Sequence, residues 1–237
     1  PSLHEWDLPP QEAIRLQRTL ASRVVLRPIP SRFDVIAAAD IGYVAAAERL
    51  VAAVVTFSWP NLEPIEAVWG SSPIVFPYIP GLLSFREIPP LLDVFQKLGR
   101  FPDVILCDGQ GLAHPREFGL ACHLGLWLGV PTVGCAKKLL CGHHGHLGPE
   151  RGQHSPLLLH ERTVGFVLRS RQGVKPIYVS PGHLADLDTS LDVVVRCLGR
   201  TRIPEPLRQA HHLATRMRRA LLAEDNTPPR SSTQSTV

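Results

Sequence analysis

Three carboxylates stand where the chain turns from one apolar segment to the next: Asp40, Glu87 and Asp108. Asp40 comes late in Val35-Ile-Ala-Ala-Ala-Asp40-Ile-Gly-Tyr43, Asp108 follows Val104-Ile-Leu-Cys107 directly, and Glu87 lies just ahead of Pro89-Pro90. Brought together, carboxylates offer the hard oxygen ligands that Mg²⁺ or Mn²⁺ prefers, and ions held in this way assist displacement at phosphorus. Each acid also has a plainer reading. Asp40 could close a strand, Glu87 could favour a helix start through the dipole, and Asp108-Gly109 is a common turn.

The elements that would bring these acids together are legible in part. Val104–Cys107 is an apolar run too short for a helix and reads as a buried strand ending at Asp108. Phe118, Ala121, Leu124 and Leu128 recur at helical spacing until Gly129 and Pro131, and Thr132–Cys135 is a second short strand. Strand, helix and strand make a parallel unit, and functional groups collect at the carboxyl ends of such strands. Upstream, 35–43, 50–57 and a weaker 65–69 read as strands with short links, an antiparallel meander beside that unit. Gln11 to Val25 reads as an amphipathic helix outside the sheet. Leu91, Leu92, Phe95 and Leu98 predict a helix that Pro89 and Pro90 allow only near its beginning, with Glu87 at or just before the start. Strands over 163–168 and 175–180 and helices over 187–198 and 205–222 complete the pattern. The histidines of 141–162 fall in a Gly/Pro-rich stretch without clean ligand spacing, read as a mobile loop. From Ala223 the chain is polar and reads as a disordered tail, leaving one compact domain over residues 1–222.

Composition narrows the class. Of 237 residues, 44% are hydrophobic, enough for one substantial core, while Pro, Gly or charge interrupts every apolar stretch before a membrane-spanning length. PSLHEWDLPP lacks a basic-then-apolar leader pattern, and five cysteines without a Cys-x-x-Cys pair fit a reducing compartment. A cytoplasmic protein without a membrane is expected, monomeric by default and with no obligate protein partner. The formal charge is only +4, but Arg196, Arg200, Arg202, Arg208, Arg216, Arg218 and Arg219 crowd together, which suits a polyanionic partner or a solvated helix face.

Longer motifs decide between these readings. Ala39-Asp40-Ile-Gly-Tyr43, Pro77-Tyr-Ile-Pro-Gly-Leu-Leu-Ser-Phe-Arg-Glu87 and Asp108-Gly-Gln-Gly-Leu-Ala-His114-Pro-Arg116 appear in that order. Gly134-Cys-Ala-Lys137-Lys138, Lys175-Pro-Ile-Tyr-Val-Ser-Pro-Gly-His183 and Arg202-Ile-Pro-Glu-Pro-Leu-Arg-Gln-Ala-His211 follow. Together they resemble the endonuclease V family from Asp34 to Arg219. The resemblance implies an α/β fold, a ribonuclease-H-like mixed sheet flanked by helices. It implies Mg²⁺-dependent DNA repair cleavage at deaminated bases, chiefly hypoxanthine (inosine), with Mn²⁺ able to substitute. The cut would fall at the second phosphodiester bond on the 3′ side, leaving a 3′-hydroxyl and a 5′-phosphate. DNA is favoured as the partner, with inosine-containing RNA as the alternative. Carried over by position, Asp40 and Asp108 become metal ligands, and Glu87 and His211 complete the catalytic group. Lys137 becomes a phosphate contact and His114 a substrate contact. Tyr78, Ile79 and Pro80 resemble a strand-separating wedge, and Gly81 and Leu83 the backbone of a base pocket. Gly42 and Gln110 occupy positions that vary in the family and leave the proposed metal site intact.

Two other functions share these acids. A ribonuclease-H-like nuclease of another kind, such as a junction resolvase, would lack the Pro-Tyr-Ile-Pro insert. A binding module that has lost catalysis would not be expected to retain Asp40, Glu87, Asp108 and His211.

Overall fold

The computed structural model describes residues 3–225. Its centre is a nine-stranded mixed sheet in the order β3-β2-β1-β4-β5-β9-β8-β7-β6. After α1 (Pro10–Ala21), the strands β1 (Val35–Val44), β2 (Arg49–Ser58) and β3 (Pro64–Pro73) form the antiparallel meander. α2 (Leu83–Phe95) leads to β4 (Val104–Cys107), which pairs parallel with β1, and α3 (Leu120–Leu128) crosses to β5 (Thr132–Ala136), parallel to β4. β6 (His143–His144), β7 (His154–Leu159), β8 (Arg162–Leu168) and β9 (Ile177–Pro181) extend the sheet, followed by α4 (Leu187–Arg196) and α5 (Glu205–Asp225). A meander followed by parallel strands, flanked by helices, is the ribonuclease-H-like arrangement.

β1 and β4 are apolar at nearly every position because helices cover both faces of the sheet. With side chains alternating along a strand, Ile36, Ala38 and Leu106 pack toward Val194, Ala210 and Ala214 of α4 and α5. Ala37, Ala39 and Ile105 face the other way, toward Ile88, Leu91 and Leu124 of α2 and α3. Gly129 ends α3 in the left-handed conformation, φ 69°, as expected of a glycine cap.

Three expectations need correction. The first concerns α2, which begins at Leu83, so Pro89 and Pro90 are interior and Glu87 sits on the helix rather than at its start. A proline inside a helix costs about 3 kcal/mol. Burying Phe85, Ile88, Leu91, Val94 and Phe95 contributes roughly 1.5–3 kcal/mol each and outweighs both prolines. The second concerns the histidine-rich stretch, which is partly strand: His143 and His144 form β6, and His154 opens β7. The third concerns the end of the chain, where α5 runs on through Ala223 to Asp225. The remainder of the expected tail lies outside the described residues.

Candidate active site

Register sets the two aspartates side by side. Ala39 of β1 pairs with Cys107 of β4 in a parallel ladder, so the next residues, Asp40 and Asp108, emerge on adjacent strands. The Asp108 N–H donates to Ala39 O at 3.3 Å, holding the end of β4 against β1. Asp40 continues the Ile36–Ala38 row that faces α5, and there His211 Nδ1 lies 3.0 Å from Asp40 Oδ2. The Asp40 side chain is only 6% exposed, whereas that of His211 is 53% exposed. One group is therefore held in the protein and the other is accessible to solvent.

Electrostatics marks the cluster as short of positive charge. Burial, and then the neighbouring Asp108 carboxyl, push Asp40 up to about 8. Burial, then Asp40 and Asp108, push Glu87 up to about 8 as well. Lys137, just after β5, forms an ion pair with Asp108 Oδ2. Burial alone would lower its ammonium pKa, but the charge and hydrogen bond of Asp108, with Asp40 behind it, outweigh that and raise it. Burial, reinforced by Lys137, lowers His211, leaving a neutral imidazole near neutral pH. α2, the helix that carries Glu87, is tied to α3 by the buried contact of Ser84 Oγ with His123 Nδ1, 2.9 Å.

Facing carboxylates of this kind fit a hard divalent cation. Among the described residues no group of three or more His, Cys, Asp or Glu side chains forms a ready-made metal cluster. Mg²⁺ commonly takes one or two carboxylates and keeps several waters, so a pair of aspartates is a sufficient donor set for it. A pH dependence follows. An acid raised in the folded state contributes stability that is complete below its unfolded value, near 4, and is lost as pH rises through its folded value, here about 8. In EDTA the protein should therefore lose thermal stability across that window. The gain in Tm on adding Mg²⁺ should be small at pH 5.5 and grow toward pH 9, because the ion competes with protons for the same oxygens. A gain independent of pH would contradict the assignment.

Beside the acids lies a cavity of about 120 Å³ whose lining includes Tyr78, Ile79, Pro80, Gly81, Leu83, Gln110 and His114. A slightly larger apolar cavity, about 150 Å³, is known to admit benzene, so the size suits a flat ring. Ile79-Pro80-Gly81-Leu82 is a turn closed by Leu82 N–H donating to Ile79 O at 2.9 Å, with Gly81 at φ 80°. Pro at the second and Gly at the third position is the type II signature. Tyr78 precedes this turn and is 67% exposed. Leu83 is the first residue of α2, so its N–H has no acceptor within the helix. The opposite wall is the loop after Asp108, pinned where Gly111 N–H donates to Ser180 Oγ and Leu112 N–H to Pro181 O, both 2.8 Å. A side chain at Gly111 would start 2.1 Å from Pro181 O, so only glycine fits there.

All eleven residues singled out in the sequence thus fall into two adjoining groups. Asp40, Glu87, Asp108, Lys137 and His211 form the charged one, and Tyr78, Ile79, Pro80, Gly81, Leu83 and His114 gather at the cavity. The sequence profile of the endonuclease V family matches residues 18–212. An endonuclease V of Myxococcus xanthus is 45% identical over 93% of this chain and 94% of its own length. The chain belongs to the endonuclease V family. A crystal structure of endonuclease V from Streptomyces avermitilis superposes with a TM-score of 0.87 at 38% identity, covering 92% of this chain and 96% of that one. Endonuclease V of Ciona intestinalis, solved in complex with a 24mer DNA containing an inosine followed by a ribo-adenosine, gives 0.78 at 26% identity over 89% and 98%. Three residues to which the sequence reading gave no role also stand here. Gln17 and Gln110 line the cavity, and Arg116 reaches the Gly81 carbonyl at 2.6 Å. Gln17 had a signal: with Ala13 and Leu20 it lies on the buried face of α1, where a glutamine is out of pattern.

Proposed function

We propose that this nuclease is a Mg²⁺-dependent DNA repair enzyme that cleaves strands at hypoxanthine, at the second phosphodiester bond on the 3′ side. The observation that carries the reading is the pair Asp40 and Asp108, crowded together at strand ends beside a ring-sized cavity with a backbone edge. Inosine-containing DNA bound to the Ciona relative supports the choice of substrate. RNA carrying inosine presents the same base and is the alternative strand.

Asp40 and Asp108 would hold the ion, with Glu87 close enough to feel both charges. When bound, Mg²⁺ neutralises charge on the phosphate and lowers the pKa of a coordinated water. Products ending in a 3′-hydroxyl and a 5′-phosphate require the water oxygen to join phosphorus while the bond to O3′ breaks, with a proton passing to O3′. With Nδ1 turned to Asp40, Nε2 of His211 is the ring atom left to take a proton from water. Lys137, whose ammonium balances Asp108 here, would turn to a phosphate oxygen. Beyond His211, α5 exposes His212, Arg216 and Arg219, a surface suited to a polyanion.

Base choice follows from polarity. Hypoxanthine offers O6 as an acceptor and N1–H as a donor, and adenine reverses both. Backbone donors at Gly81 and Leu83 favour the first and leave the adenine amino group unpaired. Tyr78, exposed before a rigid turn, would fill the gap left when the base leaves the stack. One experiment tests both ideas: cleavage of matched inosine and adenosine strands, single and duplex, and of a branched junction, by wild type and Tyr78→Ala. Wild type should cut only the inosine strands. Tyr78→Ala should lose several-fold more on duplex than on single strand, because a single strand is already partly unstacked. Preference for the junction would sink the reading, and equal losses at unchanged Tm would remove the wedge.

A further inference from the structure

Gly81 O is an unusually crowded acceptor. Gln17 Nε2 donates to it at 3.0 Å, Arg116 Nη2 at 2.6 Å, and His114 Nε2 lies at 3.0 Å. His114 is the neutral tautomer that donates there: burial, then the Arg116 charge, lowers it to about 4, and its Nδ1 accepts the Arg116 N–H at 3.2 Å. Gln17 is itself fixed at both ends. Its Oε1 accepts from Arg116 Nε at 2.6 Å, and its Nε2 also reaches Phe118 O at 3.3 Å. Only 1% of Gln17 is exposed, although it sits on a helix far from the acids in sequence. Amide orientation is normally a matter of assignment, but here a guanidinium on one side and two carbonyls on the other leave a single choice.

A carbonyl has two lone pairs, and three donors use up its capacity. We propose that Gln17, acting with Arg116, is a specificity-determining positioning residue. It holds the Gly81 carbonyl as a fully occupied acceptor, so that the turn edge of the cavity presents N–H donors to the 6-position of a base and no acceptor there. The inference rests on the proposed reading of the cavity as a hypoxanthine pocket, and it adds what keeps adenine out. Were the carbonyl released, it would become an acceptor beside the cavity, available to the amino group of adenine. The φ of 80° at Gly81 lets that peptide turn with little steric resistance, so the conformation depends on the donors and not on a side chain.

Gln17→Glu separates the two ends of the amide. Its carboxylate keeps an acceptor for Arg116 but has no N–H for Gly81. Binding of single strands containing inosine or adenosine would be measured by fluorescence anisotropy in EDTA, with turnover on inosine strand in Mg²⁺ measured alongside. Gln17→Glu should reduce the inosine-over-adenosine binding preference by roughly tenfold or more, and its effect on inosine cleavage should fall more on KM than on kcat because the acids are untouched. Arg116→Lys, which keeps the charge but not the fork, should lose part of the preference at the partly exposed end of the network. An undiminished preference in Gln17→Glu, whatever happens to Tm, would overturn the inference and leave Gln17 a structural residue. Should Gln17→Glu fail to fold, Arg116→Lys decides in the same way. No preference in wild type would instead bring down the hypoxanthine reading itself, and with it this proposal.

Discussion

Asp40→Asn and Asp108→Asn should each lower strand cleavage in Mg²⁺ by roughly a thousandfold or more, since each removes a charge from a site whose work is electrostatic. The fold should survive both. Asn keeps the shape of the side chain, and burial and then the Asp108 charge work against an ionised Asp40, a cost that either substitution relieves. Each variant in EDTA is therefore expected to melt at or above the wild-type temperature, and to gain far less from Mg²⁺. Turnover within a few-fold of wild type would show that the ion is held elsewhere. A loss of activity accompanied by a large fall in Tm would show that the aspartates are structural.

The same features that make this site electrostatically strained made it readable. Asp108 follows an apolar four-residue strand, and Gly129 and Pro131 mark the end of α3, so the parallel unit could be placed from local signals alone. Asp40 falls within a ten-residue strand, and its partnership with Asp108 needs the β1–β4 register, which no local pattern states. α2 was misplaced for a definite reason. Consecutive prolines normally end or open a helix, and the buried residues that keep this one helical through Pro89 and Pro90 are supplied by the sheet and α3. β7 was hidden by Pro156, a strand breaker tolerated because β6 pairs only with Leu157 and Leu158, leaving the outer side of Pro156 uncovered. The cavity was legible only through the resemblance of whole motifs. Its Gln17 and Arg116 come from segments 99 residues apart in the chain, and long-range hydrogen bonds leave no periodic trace.

His211→Ala should lower kcat by roughly a hundred- to ten-thousandfold with little change in KM, the range expected when a positioned proton acceptor is lost. The imidazole is half exposed and touches Asp40 through Nδ1, so its removal leaves an opening that solvent can reach. Added imidazole should restore part of the turnover in His211→Ala and none in Asp40→Asn. The acid limb of the wild-type kcat profile should lie below the ordinary histidine value, because burial and Lys137 lower His211, and this limb should disappear in the variant. An effect confined to KM would place His211 in substrate binding and remove it from the chemistry.

The most direct test is the position and chemistry of the cut. A 5′-labelled duplex with one inosine should yield, in Mg²⁺, a single labelled product ending with a 3′-hydroxyl on the nucleotide immediately 3′ to inosine, and none in EDTA. A cut elsewhere, a 3′-phosphate end, equal cutting of the adenosine duplex, or undiminished cleavage in EDTA would contradict a two-aspartate, Mg²⁺-dependent site that reads hypoxanthine.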